Sequence, residues 1–207
     1  MLTNYKPFIE RVIQRYEGGY GWDANDRGGP TKYGITCYDL AEHRHEHMDS
    51  MVRWAPLVQA MTMTEAGDIY ANKYATACDF ADLDSGADCV VLDFGINSGP
   101  SRAVKFSQRI VGVAQDGVLG PVTRSAINQM NAVAFVNALC GARLSFLHGL
   151  QIWSVFGKGW GARVMDLREY AMNLIHPPAK TSTLGYTDKL QLIPLAFAKG
   201  YLPGDQL

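Results

Sequence analysis

The residues best suited to chemistry lie in one stretch, 17–36, which reads E-G-G-Y-G-W-D-A-N-D-R-G-G-P-T-K-Y-G-I-T. Glu17 offers a carboxyl group, Asp26 offers a second one nine positions on, and Thr31 adds a hydroxyl five positions further. Two carboxyl groups flanking a bond, one donating a proton and the other directing water or attacking, are the equipment of glycoside hydrolysis. In that scheme Glu17 is the proton donor, Asp26 orients or deprotonates a water, and Thr31 holds the same water from its other side. Asp23 sits nearest the start of the turn and is assigned to backbone hydrogen bonds, as aspartate often makes in turns.

Two elements must position these groups. Phe8, Ile9, Val12, Ile13 and Tyr16 recur at helical spacing, so the chain before Glu17 is read as an amphipathic helix with Asn4 as its N-cap. Gly18 and Gly19 are expected to end it by supplying positive φ. Glu17 then follows Ile13 by one turn, at the edge of the buried stripe beside Tyr16, Tyr20 and Trp22. Partial desolvation there would favour the protonated carboxyl that a general acid needs. Gly28, Gly29, Pro30 and Gly34 predict a tight, irregular connection with a short β-ribbon near residues 32–36.

At these residues a resemblance enters. The strings E-G-G-Y and D-x-x-D-x-G-G-x-T-x-Y-G-I-T resemble the signature of the glycoside hydrolase family 108 N-acetylmuramidases, which include phage endolysins and secretion muramidases. The resemblance implies a mainly α, lysozyme-like fold, α+β with a small β-ribbon in the N-terminal lobe and two lobes around a cleft. It carries the role of catalytic acid onto Glu17 and, through a glutamate–aspartate–threonine spacing similar to that of phage T4-type lysozymes, supports Asp26 and Thr31. Tyr20 and Tyr33 fall in the same signature and are expected to contact substrate. The sequence departs from the family at Gly21-Trp22-Asp23-Ala24, where a small polar run ending in Asp-Pro is usual. No candidate catalytic group is lost by that change.

The second half resembles the predicted peptidoglycan-binding region found behind the same signature. The matching strings are D-F-G-I-N-S-G-P (93–100), Q-R-I-V-G-V (108–113) and D-G-V-L-G-P-V-T (116–123). The expected organisation is therefore a muramidase lobe over 1–88, a helical peptidoglycan-binding-like lobe over 89–176 and a tail over 177–207. Asn97 is the better candidate for facing glycan, because an amide beside a glycine can approach a sugar closely. Asp116 and Thr123 are read as a loop and cap joining two helices.

Elsewhere the patterning predicts a helix capped by Thr36, a helix over 62–74 capped by Thr64, and a long central helix over 131–153 with Arg143 and His148 at its surfaces. Gly157 to Gly161 is read as a turn into a last helix over 162–175. Trp160 in that turn is either a sugar-stacking platform or core; both readings stand on sequence alone. His43 and His47 have i, i+4 spacing without the H-E-x-x-H order, so a polar helix end is preferred to a metal pair. The acidic residues Asp79, Asp82, Asp84 and Asp88 fail the calcium-loop pattern and are read as a solvated loop. Leu190, Leu192, Ile193, Leu195 and Phe197 give the tail an apolar character with no recognised motif.

Composition narrows the function classes. The 207 residues carry a formal net charge of −1, which gives no general grip on nucleic acid. No apolar run approaches the roughly 18 residues of a membrane helix. No signal peptide is visible at the start, so the expectation is a monomer made in the bacterial cytoplasm and released to the cell wall by a holin or secretion machinery. Four cysteines match no C-x-x-C pattern and are read as reduced, buried thiols. No metal or organic cofactor is required. Two functions are weighed: a muramidase cutting peptidoglycan glycan strands, and a non-catalytic peptidoglycan-binding component of a lysis or secretion apparatus.

Overall fold

The computed structural model of the chain describes residues 2–22 and 28–177. Asp23, Asp26 and the tail from 178 lie outside the described residues. Among the described residues the architecture is mainly α-helical with one two-stranded antiparallel ribbon, the lysozyme-like arrangement expected.

Helix α1 (Leu2–Arg15) buries Phe8, Ile9, Val12 and Ile13, and Tyr16 just past its end is buried too, completing the predicted stripe. Each such side chain contributes about 1.5–3 kcal/mol on burial, so this face fixes how α1 sits. Asn4 does not cap it; the helix starts at Leu2, and the Asn4 amide donates to Ser85 and Asp88. Neither Gly18 nor Gly19 adopts positive φ. The helix instead closes with the Tyr16 and Glu17 amides both donating to Val12 O, and with Tyr33 N donating to Gly18 O.

The ribbon pairs β1 (Thr31–Lys32) with β2 (Ile35–Thr36), Thr31 opposite Thr36. Its two-residue turn, Tyr33 and Gly34, has φ of 54° and 76°. Positive φ at both central positions is the demand of a type I′ hairpin. Tyr33 is an unusual residue there. The buried Tyr70 hydroxyl donates to Tyr33 O at 2.9 Å and helps hold it. A further bridge between Gly21 and Thr31 ties the ribbon to the segment after α1.

Helix α2 (Cys37–His43) begins in a full capping box between Thr36 and Asp39. Helix α3 (Met51–Ala60), which the periodicity did not reveal, ends with Lys32 Nζ on the carbonyls of Gln59 and Met61. Helix α4 (Met63–Tyr70) is capped by Thr62 rather than Thr64 and runs on into a π-helical turn, Ala71–Ala75.

Helix α5 (Ala87–Ser98), not the longer helix over residues 132–148, is the most enclosed element. Every residue from Ala87 to Gly95 is buried, against α6 (Pro100–Val111), α8 (Ala132–His148), α9 (Trp153–Ile175) and the π-helical turn. Gly99, at φ 92°, serves as the C-cap of α5 and the N-cap of α6. Helix α7 (Pro121–Gln129) starts with Pro at its first position, as Pro121 predicts. The Gly157 to Gly161 segment is not a turn but lies inside α9. Its glycines bring Trp153 down onto the helix, where a β-carbon on Gly157 would strike the indole.

The loop over 79–84 is not uniformly solvated. Asp79 pairs with Arg124, and Asp88, expected with that group, is fully buried at the start of α5 and accepts from Gly86 N and Cys89 N. All four cysteines are free and buried.

Candidate active site

Glu17 stands just past the end of α1, with a side chain 18% exposed. Its Oε1 accepts from Arg163 Nη1 at 2.9 Å. Its Oε2 rests against the hairpin turn, 2.6 Å from where a β-carbon on Gly34 would stand; that same point lies against the Tyr70 hydroxyl. The immediate setting is therefore a guanidinium on one side and a bare backbone turn on the other. The sequence placed the carboxyl group beside Tyr16, Tyr20 and Trp22; Arg163 and the Gly34 turn are neighbours it did not foresee.

Arg163 reaches Glu17 from α9 and is itself held by two further groups, Tyr16 and Asp93. Its guanidinium carbon lies 4.7 Å from the centre of the Tyr16 ring, a cation–π arrangement. Its Nε and Nη2 donate to both oxygens of Asp93, with Nη2–Oδ1 at 2.7 Å. Asp93, on α5 and 0% exposed, also accepts from Arg143 Nη1 at 2.6 Å. Arg143 is thus buried, not on the surface of its helix. Two carboxyl groups, those of Glu17 and Asp93, thus face the two guanidiniums of Arg163 and Arg143.

The electrostatics follow from that pairing. Burial opposes the charge on Asp93, but Arg163 and then Arg143 overcome it and hold the carboxyl below its ordinary value. Burial likewise opposes the charge on Arg163, and Asp93 and Glu17 more than compensate, so it is raised. Tyr70 is pushed well above the usual phenol range by burial first and by the charge of Glu17 second. Its hydroxyl stays a neutral donor beside the site.

A second tie links α1 to α9. Asp166, one turn beyond Arg163, accepts from Arg11 at 2.7 Å and from Arg15 at 3.0 Å, and the Tyr16 hydroxyl donates to it. Glu17 is thus the next residue after a segment docked onto the helix that supplies its arginine.

Of the sequence-predicted site residues, Thr31 lies on β1, its hydroxyl donating to Gly29 O at 3.2 Å. Tyr33 occupies the hairpin turn beside Gly34, with Lys32 Nζ 4.9 Å from its ring centre. Tyr20 is 37% exposed on the segment between α1 and the ribbon. Asn97 is partly exposed one turn after Asp93 on α5 and accepts from the Ser98 hydroxyl. Trp160 is partly buried one turn before Arg163 on α9, with Phe156 and Trp153 ring centres at 5.6 and 6.3 Å. Asp26 lies outside the described residues. Asp116 and Thr123 are engaged by the buried Gln108, whose amide nitrogen donates to both.

Arg163, Asp93, Arg143, Tyr70 and Gly34 were not among the sequence-predicted site residues. A signal existed for the charged three: Asp93 interrupts V-V-L-D-F, and Arg143 sits among apolar helix positions. Charges in such runs are buried only when paired. A shallow hollow bounded by Val113, Pro121, Val122, Ser125, Ala126 and Gln129 contains none of the site residues.

The mainly helical fold with a short two-stranded ribbon is lysozyme-like. Residues 10–99 match the family described as glycosyl hydrolase 108. The solved structure of SagA from Brucella abortus is 39% identical, over 86% of this chain and 99% of that one, with a TM-score of 0.74. No curated protein matches the chain. The chain belongs to the glycosyl hydrolase 108 family, and with that it is a glycoside hydrolase acting on peptidoglycan.

Proposed function

We propose that the chain is an N-acetylmuramidase, with lysozyme activity on the β-1,4 bond between N-acetylmuramic acid and N-acetylglucosamine. Glu17 protonates the departing glycosidic oxygen, and a water directed by Asp26 and Thr31 attacks the anomeric carbon. The bond to the leaving sugar breaks as the bond to water forms, and the water's proton passes to Asp26. This is the inverting course, which needs carboxyl groups about 6.5–9.5 Å apart; a retaining course would need about 5–5.5 Å.

The observation that carries the reading is the grip of Arg163 on Glu17 at 2.9 Å. Delivering a proton leaves a carboxylate, and a guanidinium already in place stabilises the charge as it develops. Tyr20, Tyr33, Asn97 and Trp160 are assigned to the glycan, the aromatic rings as stacking faces. Residues 89–176 form the peptidoglycan-binding-like lobe of this reading, and its setting is host lysis by a phage-type endolysin that works as a monomer after release through a holin or secretion machinery.

Digestion of purified peptidoglycan, followed by reduction and mass analysis of the new ends, tests the bond assignment. Reduced N-acetylmuramic acid ends are expected. Reduced N-acetylglucosamine ends would replace the muramidase reading with a glucosaminidase one.

A further inference from the structure

We propose that Asp93 is a positioning residue for the proton donor, acting through Arg163; the inference rests on Glu17 being that donor. Asp93 grips the Nε and Nη2 edge of the Arg163 guanidinium with both carboxylate oxygens, at 2.7 to 3.2 Å. A planar fork held along one edge cannot swing about its own axis, so the remaining nitrogen, Nη1, points in one direction. That nitrogen meets Glu17 Oε1. Arg143 completes the arrangement by fixing Asp93 Oδ2 at 2.6 Å and balancing its charge.

Packing alone gives little reason for this cluster. Asp93 lies in the most enclosed helix, between Leu92 and Phe94, both 0% exposed. Buried ion clusters rarely stabilise a fold more than apolar residues of like volume would. Among the described residues, Arg143 Nε is buried without a protein hydrogen-bond acceptor. What the cluster does deliver is a fixed line from the centre of the fold, Asp93 to Arg163 to Glu17, which spans α5, α9 and the end of α1. Asp93 touches no substrate in this scheme.

The test uses the full chain and soluble, uncross-linked peptidoglycan glycan strands, comparing wild type, Asp93→Asn, Arg163→Lys, Glu17→Gln and the Asp93→Asn/Glu17→Gln pair. Asp93→Asn is expected to lower kcat by about tenfold or more while KM stays within about twofold, the signature of a misplaced catalytic group. If Asp93→Asn does not fold, Arg163→Lys carries the test. One ammonium cannot hold both carboxylates as the fork does, so the same fall in kcat at steady KM is expected. In the Glu17→Gln background, Asp93→Asn should cause no further loss, because both changes remove one function.

A wild-type kcat in whichever of these two single variants folds and is read, or a loss carried wholly by KM, overturns the proposal. So does an undiminished Asp93→Asn effect in the Glu17→Gln background. Full activity in Glu17→Gln alone instead removes the reading on which the proposal rests, and the two failures are read from different variants.

Discussion

Glu17 and Gly34 are in contact through an absent side chain: Oε2 lies 2.6 Å from the site a Gly34 β-carbon would take. Glycine is required twice over, for that space and for its φ of 76°. Gly34→Ala is expected to displace the carboxyl group and lower glycan turnover by about a hundredfold, the scale of a misplacement near 1 Å. The strained φ should cost about 1–2 kcal/mol of stability besides. Turnover and thermal unfolding measured on the same preparation check both; an alanine variant with wild-type turnover would show that the carboxyl group does not depend on this turn.

Two glycines two positions apart on α9 should respond in opposite senses. Gly157→Ala would drive a methyl group into the Trp153 indole, whereas Gly159 has nothing within 4 Å of the corresponding point. Gly159→Ala is expected to stabilise by up to about 1 kcal/mol through helix propensity. That raises Tm by about 2–4 °C in a chain of this size. Gly157→Ala should lower Tm. Parallel melting curves decide it, and equal shifts would contradict the placement of Trp153.

The Asp93 cluster gives stability a signed dependence on pH. Its folded carboxyl is held below the ordinary value by Arg163 and Arg143, so the unfolded chain takes up that proton first. The stabilisation is present above about pH 4, the unfolded value, and is lost as pH falls through the lower folded value. Denaturant unfolding at successive pH values below about 4 should show a steeper loss in wild type than in Asp93→Asn. Equal slopes would show that the ion pairs do not depress that carboxyl.

The cysteines should be unreactive in the folded chain. Burial raises all four thiols, Cys78 to about 12 and Cys140 to about 11, with Cys89 and Cys37 also raised. The thiolate is the reacting species, so a disulfide reagent near pH 8 should label none of them promptly, and all four after denaturation. Prompt labelling of the native chain would contradict this.

The parts of this structure that were legible in the sequence are those set by local periodicity and local chemistry. The α1 stripe, the Thr36 cap, the ribbon after Pro30 and the proline start of α7 each depend on residues within a few positions of one another. The Glu17 site was legible only by half. Its glutamate stands in a motif, but Arg163, which it pairs with, and Asp93, which holds Arg163, are 146 and 76 positions away in the chain. Hydropathy ranks charged residues as surface, and so it placed Arg143 there; only the folded contacts reveal that one carboxylate gathers two arginines. The reading of 157–161 as a turn failed for a related reason. Glycine-rich sequence suggests a break, but here the small residues make room for a tryptophan along a continuous helix.

The central claim is that Glu17 supplies the proton. Wild type and Glu17→Gln should be compared on purified peptidoglycan by release of reducing ends, with circular dichroism and melting to establish that both are folded. The glutamine keeps the size of the side chain and removes its acid, so the account predicts a loss of at least about a hundredfold with folding intact. Undiminished release of reducing ends by the folded variant would contradict it.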